Sequence, residues 1–225
     1  MNPKLKKRLV DSIDYLRKMD FFKDYSNLTS EEILEKIFRG ELNYSYWYDE
    51  WEEKHPPPGG ASKYITNHGI LLRQSLDEYE DHWMRHSDAE IDYSIIPYDM
   101  KRTVIEEPET MPDDEMGKAI LSRLARISRG IFQPENIESK WATHHRKWLV
   151  QEVSFDFKGE RHTIQIVIRY DWIEDMGLEE LNKILEDTGY QYYQIDDEYI
   201  KVVMLTKEEA EKLKKERGWK FEYLH

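Results

Sequence analysis

Residues 149–170, "LVQEVSFDFKGERHTIQIVIRY", contain two segments in which apolar and polar residues alternate, separated by a short turn. Folding the segments onto each other about the turn places Phe155 opposite His162 and Asp156 opposite Arg161. Apolar side chains then meet on one face, and an acid meets a base on the other, in a single register. This stretch is therefore predicted to form an antiparallel β-hairpin, with Phe155 and His162 facing the core.

The segments after this hairpin predict a second, similar arrangement. Residues 178–187, "LEELNKILED", have the apolar spacing of a helix. The segments "YQYYQI" (190–195) and "YIKVVML" (199–205) flank "DDE" as a second hairpin. Thr206 and Glu209 have the spacing of a capping box that opens a final helix. The order ββαββα predicts an α+β fold, in which helices cover one face of a C-terminal antiparallel sheet.

The preceding part of the chain shows mainly helical patterns. Asn2 is expected to cap a helix that begins at Pro3. Thr29 and Glu32 have capping-box spacing before a second helix. Apolar side chains recur at helical spacing over residues 64–87 and 116–127, so helices are predicted there as well.

Two further expectations concern the segments between these helices and the first hairpin. Residues 91–96, "IDYSII", alternate as a strand does, and a strand is predicted there. His144 and His145 are expected in a polar connection before the hairpin. The chain is thus predicted to comprise a mainly helical region, 1–130, and an α+β region, 131–225, which form either two domains or one continuous domain.

The formal net charge of −13 is unevenly distributed. Residues 28–116 contain 22 acidic and 8 basic residues, and the rest of the chain is close to neutral. An acidic stretch repels phosphate backbones and attracts basic surfaces. We therefore expect no nucleic-acid partner. A basic protein partner is one interpretation of the acidic stretch, and a surface that favours solubility is the other.

The 225-residue chain contains no cysteine, which excludes disulfides, thiol catalysis and Cys-ligated zinc. It has no run of about 18 apolar residues of the kind that spans a membrane. Its N-terminus lacks the apolar core of a signal peptide. A cytosolic protein without a membrane partner is expected, and no motif predicts a cofactor.

Residues 44–60, "YSYWYDEWEEKHPPPGG", combine aromatic rings with carboxylates. Four of the rings have the i, i+3, i+4, i+7 spacing of one helical face: Tyr44, Trp47, Tyr48 and Trp51. Such a face is usually buried, so Trp47 and Trp51 are expected to lie in the core. Tyr46, Glu50 and Glu53 fall on the other sides of the helix, and they are the candidate partner-binding residues.

The stretch "EYEDHWMRH" contains the one candidate metal site. Its Glu78, His82 and His86 are spaced i, i+4, i+8 on a predicted helix. Two imidazoles at i, i+4 can chelate one metal ion. Because an i+8 separation is about 12 Å along a helix, a third ligand such as His55 or His68 would be required. The stretch also lacks the glutamate of the H-E-x-x-H motif of zinc hydrolases.

Four C-terminal stretches together resemble the C-terminal region of uncharacterised bacterial proteins: "GIFQPENIESKW", "VSFDFKGERHTI", "LEELNKILEDTGYQYYQIDDEYIKVVMLT" and "EEAEKLKKERGW". Some small, acidic α+β proteins of this general kind are immunity proteins, which neutralise toxins in polymorphic toxin systems; the resemblance assigns no specific family. The resemblance covers about the last 95 residues and includes no catalytic motif. It implies a binding or inhibitory role and assigns no site residues.

Two specific functional hypotheses follow, beside the less specific one of a structural or regulatory module in a larger assembly. The first is a non-enzymatic, cytosolic protein that binds another protein through an acidic surface, as a toxin-neutralising immunity protein does. Tyr and Trp beside carboxylates are residue types suited to an interface with a basic partner. The alternative is a metal-dependent hydrolase or nuclease that uses His82 and His86.

Overall fold

A computed structural model describes residues 1–42, 67–106, 113–145, 148–170, 172–195 and 199–222. Its helices are α1 (Pro3–Arg17), α2 (Ser30–Phe38), α3 (Asn67–Glu78), α4 (Glu80–Trp83), α5 (Asp88–Ile95), α6 (Met116–Ile127), α7 (Leu178–Ile184) and α8 (Lys207–Arg217). Its strands are β1 (Thr103–Glu106), β2 (Glu135–His145), β3 (Trp148–Phe157), β4 (Glu160–Arg169), β5 (Trp172–Asp175), β6 (Tyr190–Ile195) and β7 (Ile200–Thr206). The described ranges also contain 3-10 turns at Lys23–Tyr25, Ile96–Tyr98 and Glu186–Thr188. The fold is α+β, as predicted.

The chain forms two compact units that are not continuous in sequence. The first unit comprises Met1–Thr103 and Glu211–Trp219. The second comprises Val104–Ala210 and Lys220–His225. The C-terminal segment therefore returns to the N-terminal unit before the chain ends.

The first unit is built from helices whose starts agree with the capping predictions. The Asn2 side chain accepts a hydrogen bond from the Lys4 N–H at 2.8 Å, and Pro3 opens α1. Thr29 and Glu32 form the reciprocal capping box of α2. The apolar stripe of α1 is fully buried at Leu5, Leu9, Ile13 and Leu16. Burial of such stripes, rather than helix propensity alone, stabilises helices of this length.

The strand predicted at residues 91–96 is wrong, because Asp88–Ile95 form helix α5. A capping box of Ser87 and Glu90 starts this helix. The alternation of apolar and polar residues predicted a strand with one buried and one exposed face. In the structure the polar residue Asp92 is buried as well as its apolar neighbours Ile91 and Tyr93. A helix buried on several sides shows no single apolar stripe.

The single helix predicted over 64–87 is also wrong within the described residues. Helix α3 ends at Glu78 and α4 begins at Glu80. Tyr79 between them has φ −117° and ψ 37°, outside the helical region. Position 79 therefore separates Glu78 from the two histidines of the candidate metal site.

A buried carboxylate joins α1, α5 and the C-terminal segment of the first unit. Asp92 is fully buried and accepts a hydrogen bond from Ser12 at 2.5 Å. The Arg217 guanidinium donates to both carboxylate oxygens, at 2.9 and 2.7 Å. The Trp219 indole N–H adds a fourth bond at 2.8 Å. A buried carboxylate with a bidentate arginine and two further donors is fully satisfied, so it stabilises this arrangement instead of opposing it.

In the second unit, the hairpin of residues 149–170 is confirmed in the predicted register. Phe155 pairs with His162, and Asp156 pairs with Arg161, in antiparallel strands β3 and β4. Phe155 is fully buried and His162 packs against it, with ring centroids 5.7 Å apart. Arg161 forms an exposed ion pair with Asp156 at 3.1 Å.

The expectation of one C-terminal sheet with the order ββαββα is only partly met. The first hairpin lies in a four-stranded sheet of order β2-β3-β4-β5, whereas β6 and β7 pair in a three-stranded sheet of order β1-β7-β6. His144 and His145 belong to strand β2 and not to a polar connection. Strand β2 escaped prediction because it is a largely exposed edge strand, with a break in its pairing register after Trp141.

Helix α6 packs against β2, β3 and β7, and it brings both sheets into one core. The predicted stripe of Met116, Ile120, Leu124 and Ile127 is buried there. Gly117 lies so close to β3 that a Cβ atom would come within 2.5 Å of side-chain atoms of both Gln151 and Val153. The inner sheet face is thus covered by α6, and the opposite face of β3 and β4 remains more exposed.

Candidate functional site

The candidate site is a cleft of about 250 Å³ in the first, helical unit. Its lining residues come from the turn after α1, the end of α2 and the turn after α5: Asp24, Tyr25, Glu41, Tyr98, Asp99, Met100 and Lys101. We name it the Asp99 cleft. Residues from three separate parts of the sequence meet because α1 packs against both α2 and α5.

Asp99 is the buried carboxylate of the cleft, and its hydrogen bonds hold the neighbouring turns together. Its Oδ2 accepts a hydrogen bond from the Phe22 N–H at 2.5 Å, and its Oδ1 accepts one from the Lys101 N–H at 3.2 Å. Phe22, whose N–H makes this bond, has a left-handed backbone, with φ 56°. An L-residue rarely adopts this conformation unless its surroundings compensate, and the bond to Asp99 is such a compensation.

Burial raises the pKa of Asp99 to about 6, although the Phe22 N–H and the charge of Arg102 act in the opposite direction. Burial also raises the pKa of Tyr25, and the negative charges of Asp99 and Asp24 add to this shift. Both shifts arise mainly from burial, which disfavours the charged form of each group. A cation that paired with the Asp99 carboxylate would favour its charged form.

The remaining charges of the cleft are exposed and paired. Lys101 contacts Asp24 at 2.5 Å, and Glu41 contacts Lys36 at 2.5 Å. Exposed pairs of this kind contribute little to stability, and their partners can exchange. The lining therefore offers three carboxylates and two tyrosines against one ammonium group, an arrangement suited to a basic side chain.

The structure brings together the two histidines of the predicted metal site. The ring centroids of His82 and His86 are 4.6 Å apart, and the His86 ring stacks on Trp83 at 4.7 Å. Nδ1 of His86 lies 3.0 Å from the backbone oxygen of His82. Within the described part of the chain, no group of three or more acidic or histidine side chains is arranged to hold a metal ion. His55, one of the two proposed third ligands, lies outside the described residues.

The predicted partner-binding residues Tyr46, Glu50 and Glu53 also lie outside the described residues, as do Trp47 and Trp51. Their assignment stays a prediction. The Asp99 cleft, by contrast, was not predicted from the sequence. Asp24 and Asp99 are 75 positions apart, and neither belongs to a motif that would have linked them.

No helix within the described residues is both long and apolar enough to span a membrane. Comparison of the chain with protein-family models, with curated proteins and with solved structures found no match.

Proposed function

We propose that this protein binds a basic protein, without catalysing a reaction, through the acidic surface of its helical unit. The observation that supports this most is the Asp99 cleft, where Asp24, Glu41 and Asp99 surround a space of about 250 Å³. A lysine or arginine side chain from the partner would enter this space and pair with the carboxylates. Tyr25 and Tyr98 would pack along its aliphatic stem.

The rest of the acidic stretch would steer the partner toward the cleft. Residues 28–116 carry 22 acids and 8 bases, so a basic surface is attracted over a distance of about one Debye length. Tyr46, Glu50 and Glu53 belong to the same stretch and are proposed to contact the same partner. Neutralisation of a toxin, as by an immunity protein, is the biological role that best fits this binding mode.

The test begins with isolation of a basic partner by affinity capture, followed by binding measurements with both purified proteins. We expect affinity to fall with added salt, because exposed charges are screened. The double substitution D24K/E41K should weaken binding at least about ten-fold. The variant E186K/E208K makes the same change in net charge at exposed positions of the second unit, and it should have a much smaller effect.

Binding that is insensitive both to salt and to D24K/E41K would contradict the proposal. Melting temperatures of both variants serve as the control for folding. Asp24 and Glu41 are exposed, so neither substitution should unfold the protein.

The alternative function, a metal-dependent hydrolase or nuclease, depends on the close approach of His82 and His86. Metal analysis of the purified protein distinguishes it from the first proposal. Stoichiometric zinc, manganese or iron that is lost in H82A, but kept in H68A, would favour a metal site at this histidine pair.

A further inference from the structure

Three carboxylates are buried in the described part of the chain: Asp92, Asp99 and Glu106. Two of them are paired with an arginine, since Arg217 donates to both oxygens of Asp92 and Arg123 Nε lies 2.5 Å from Glu106. Asp99 accepts hydrogen bonds from backbone N–H groups, and none of the described ion pairs includes it. Because a buried carboxylate is costly without a paired cation, Asp99 offers an ion-pairing position that the described residues leave open.

The surroundings of Arg217 show which groups this fold places around a largely buried guanidinium. Arg217 donates to both oxygens of the buried Asp92 and, at 3.1 Å, to the exposed Asp88. Its guanidinium also lies 5.1 Å from the centre of the Tyr15 ring. A buried carboxylate, an exposed carboxylate and a tyrosine ring thus hold one arginine side chain.

The Asp99 cleft contains the same three kinds of group around a space of about 250 Å³. Asp99 is the buried carboxylate, Asp24 is an exposed one, and Tyr25 supplies a half-buried ring. Each oxygen of Asp99 accepts one backbone N–H, at 2.5 and 3.2 Å, so each keeps a further acceptor position. Two acceptor positions on one carboxylate match the paired N–H groups of a guanidinium, whereas an ammonium group is a compact point charge.

An exposed carboxylate can serve two cations at once in this fold. Asp88 pairs with Arg217 and with Arg8, each at 3.1 Å. Asp24 contacts Lys101 at 2.5 Å, and an ionised carboxylate has acceptor capacity for a second cation. The ion pair of Asp24 with Lys101 therefore leaves room for a guanidinium in the cleft.

We propose that the Asp99 cleft is selective for a guanidinium group, so that the basic partner inserts an arginine and not a lysine. This inference rests on the proposed function and names the side chain that the cleft receives. The guanidinium would bond to both oxygens of Asp99, pair with Asp24 and stack on Tyr25, as Arg217 does in its own site.

The test compares two probes, N-acetyl-arginine methylamide and the matching lysine compound, by amide NMR titration of the full chain. At about pH 7.5 Asp99 is ionised, because its pKa is about 6. We expect the arginine compound to bind at least about five-fold more tightly than the lysine compound. The amide signals of Phe22 and Lys101 should shift, because their N–H groups donate to Asp99. The indole N–H signal of Trp219, which is bonded to Asp92, should stay unchanged.

The variant D99N removes the charge of the buried carboxylate and should weaken binding of the arginine compound at least about ten-fold. Its matched control, D81N, makes the same charge change at an exposed position of the first unit and should leave the affinity unchanged. Circular dichroism melts show whether each variant is folded. If D99N does not fold, Y25L replaces it, because this variant keeps the carboxylate, removes the ring and should reduce the preference for arginine.

Equal affinity for the two compounds would overturn the proposal, and so would an unchanged affinity of folded D99N. Absence of binding of the arginine compound at about 50 mM would overturn it as well. None of these results decides the proposed function, which depends on the salt dependence of partner binding and on D24K/E41K. Arginine-selective binding together with a partner whose affinity ignores D24K/E41K would support the guanidinium site and contradict the proposed function.

Discussion

At the residue scale, Asp99 makes stability depend on pH. Its folded pKa of about 6 lies above the ordinary value of 3.8, so the folded protein holds this proton more tightly than the unfolded chain does. Asp99 therefore stabilises the fold most below about pH 4, and this contribution is lost as the pH rises through about 6. The loss amounts to about 3 kcal/mol in the free energy of unfolding. This loss of stability should be visible when urea unfolding of the protein and of D99N is compared at about pH 4 and at about pH 7.5.

The control for this prediction is Asp156, whose pKa shifts in the opposite direction. Hydrogen bonds from Asn136 and Arg161 lower the pKa of this exposed carboxyl. The contribution of Asp156 to the stability of the fold should therefore be present above the ordinary pKa of an aspartate and lost as the pH falls. If D99N and D156N change the pH profile in the same direction, the assignment of the raised pKa to Asp99 is wrong.

At the scale of elements, the contact between α2 and α3 depends on Gly69. A Cβ atom at this position would lie 1.7 Å from the backbone oxygen of Ile37 in α2. In an exposed helix, replacing Gly with Ala stabilises by about 1 kcal/mol, but here the added methyl group must separate two helices. We expect G69A to reduce the free energy of unfolding by about 2 kcal/mol or more. Chemical denaturation measures this change.

A matched substitution on the same helix is L71A, because Leu71 is more than half exposed. It should change the free energy of unfolding by less than about 1 kcal/mol. An unchanged or increased stability of G69A would show that the two helices do not approach as closely as described.

The hairpin of β3 and β4 provides a second test at this scale. Phe155 is fully buried between Phe132 and His162, so F155D places an unpaired charge in the core and should unfold the second unit. D156R changes the neighbouring, outward-facing residue and should cost under about 1 kcal/mol. Thermal melts followed by circular dichroism distinguish the two outcomes. Similar melting temperatures for F155D and D156R would mean that the faces of the hairpin are assigned wrongly.

At the scale of the whole molecule, the return of the C-terminal segment to the first unit makes Trp219 important for that unit. Trp219 is buried, donates to Asp92, and packs edge-to-face on Tyr93 at 5.2 Å. W219A should cost about 3–5 kcal/mol. Hydrogen exchange should accelerate in α1 and α5, because these helices belong to the same unit, and change less in β3 and β4.

Phe221 offers the converse substitution, only two positions along the chain. It pairs with Ile195 at the edge of β6, in the second unit, and its ring lies 4.9 Å from Tyr193. F221A should accelerate exchange in β6 and leave α1 protected. Equal acceleration in both units by either variant would show that they unfold as one.

The sequence alone determined the features that depend on neighbouring residues. The capping boxes at Thr29 and Thr206 were predictable because each joins groups three positions apart. The register of the first hairpin was predictable because only one pairing matches apolar with apolar and acid with base. The stripe of α6 was predictable because the helical period carries it onto one face.

Only the tertiary structure decided the features that depend on distant contacts. Residues 88–95 form a helix because the capping box and burial on several sides outweigh their strand-like alternation. The two hairpins lie in different sheets. Strands β2 and β5 pair with the two edges of the β3–β4 hairpin, whereas β1 pairs with β7 of the β6–β7 hairpin. The Asp99 cleft brings together Asp24 and Asp99, which are 75 positions apart. The hydrogen bonds that Asp92 accepts from Arg217 and Trp219 span more than 120 positions. Such contacts arise from packing of whole elements, and a local sequence pattern does not record which elements meet.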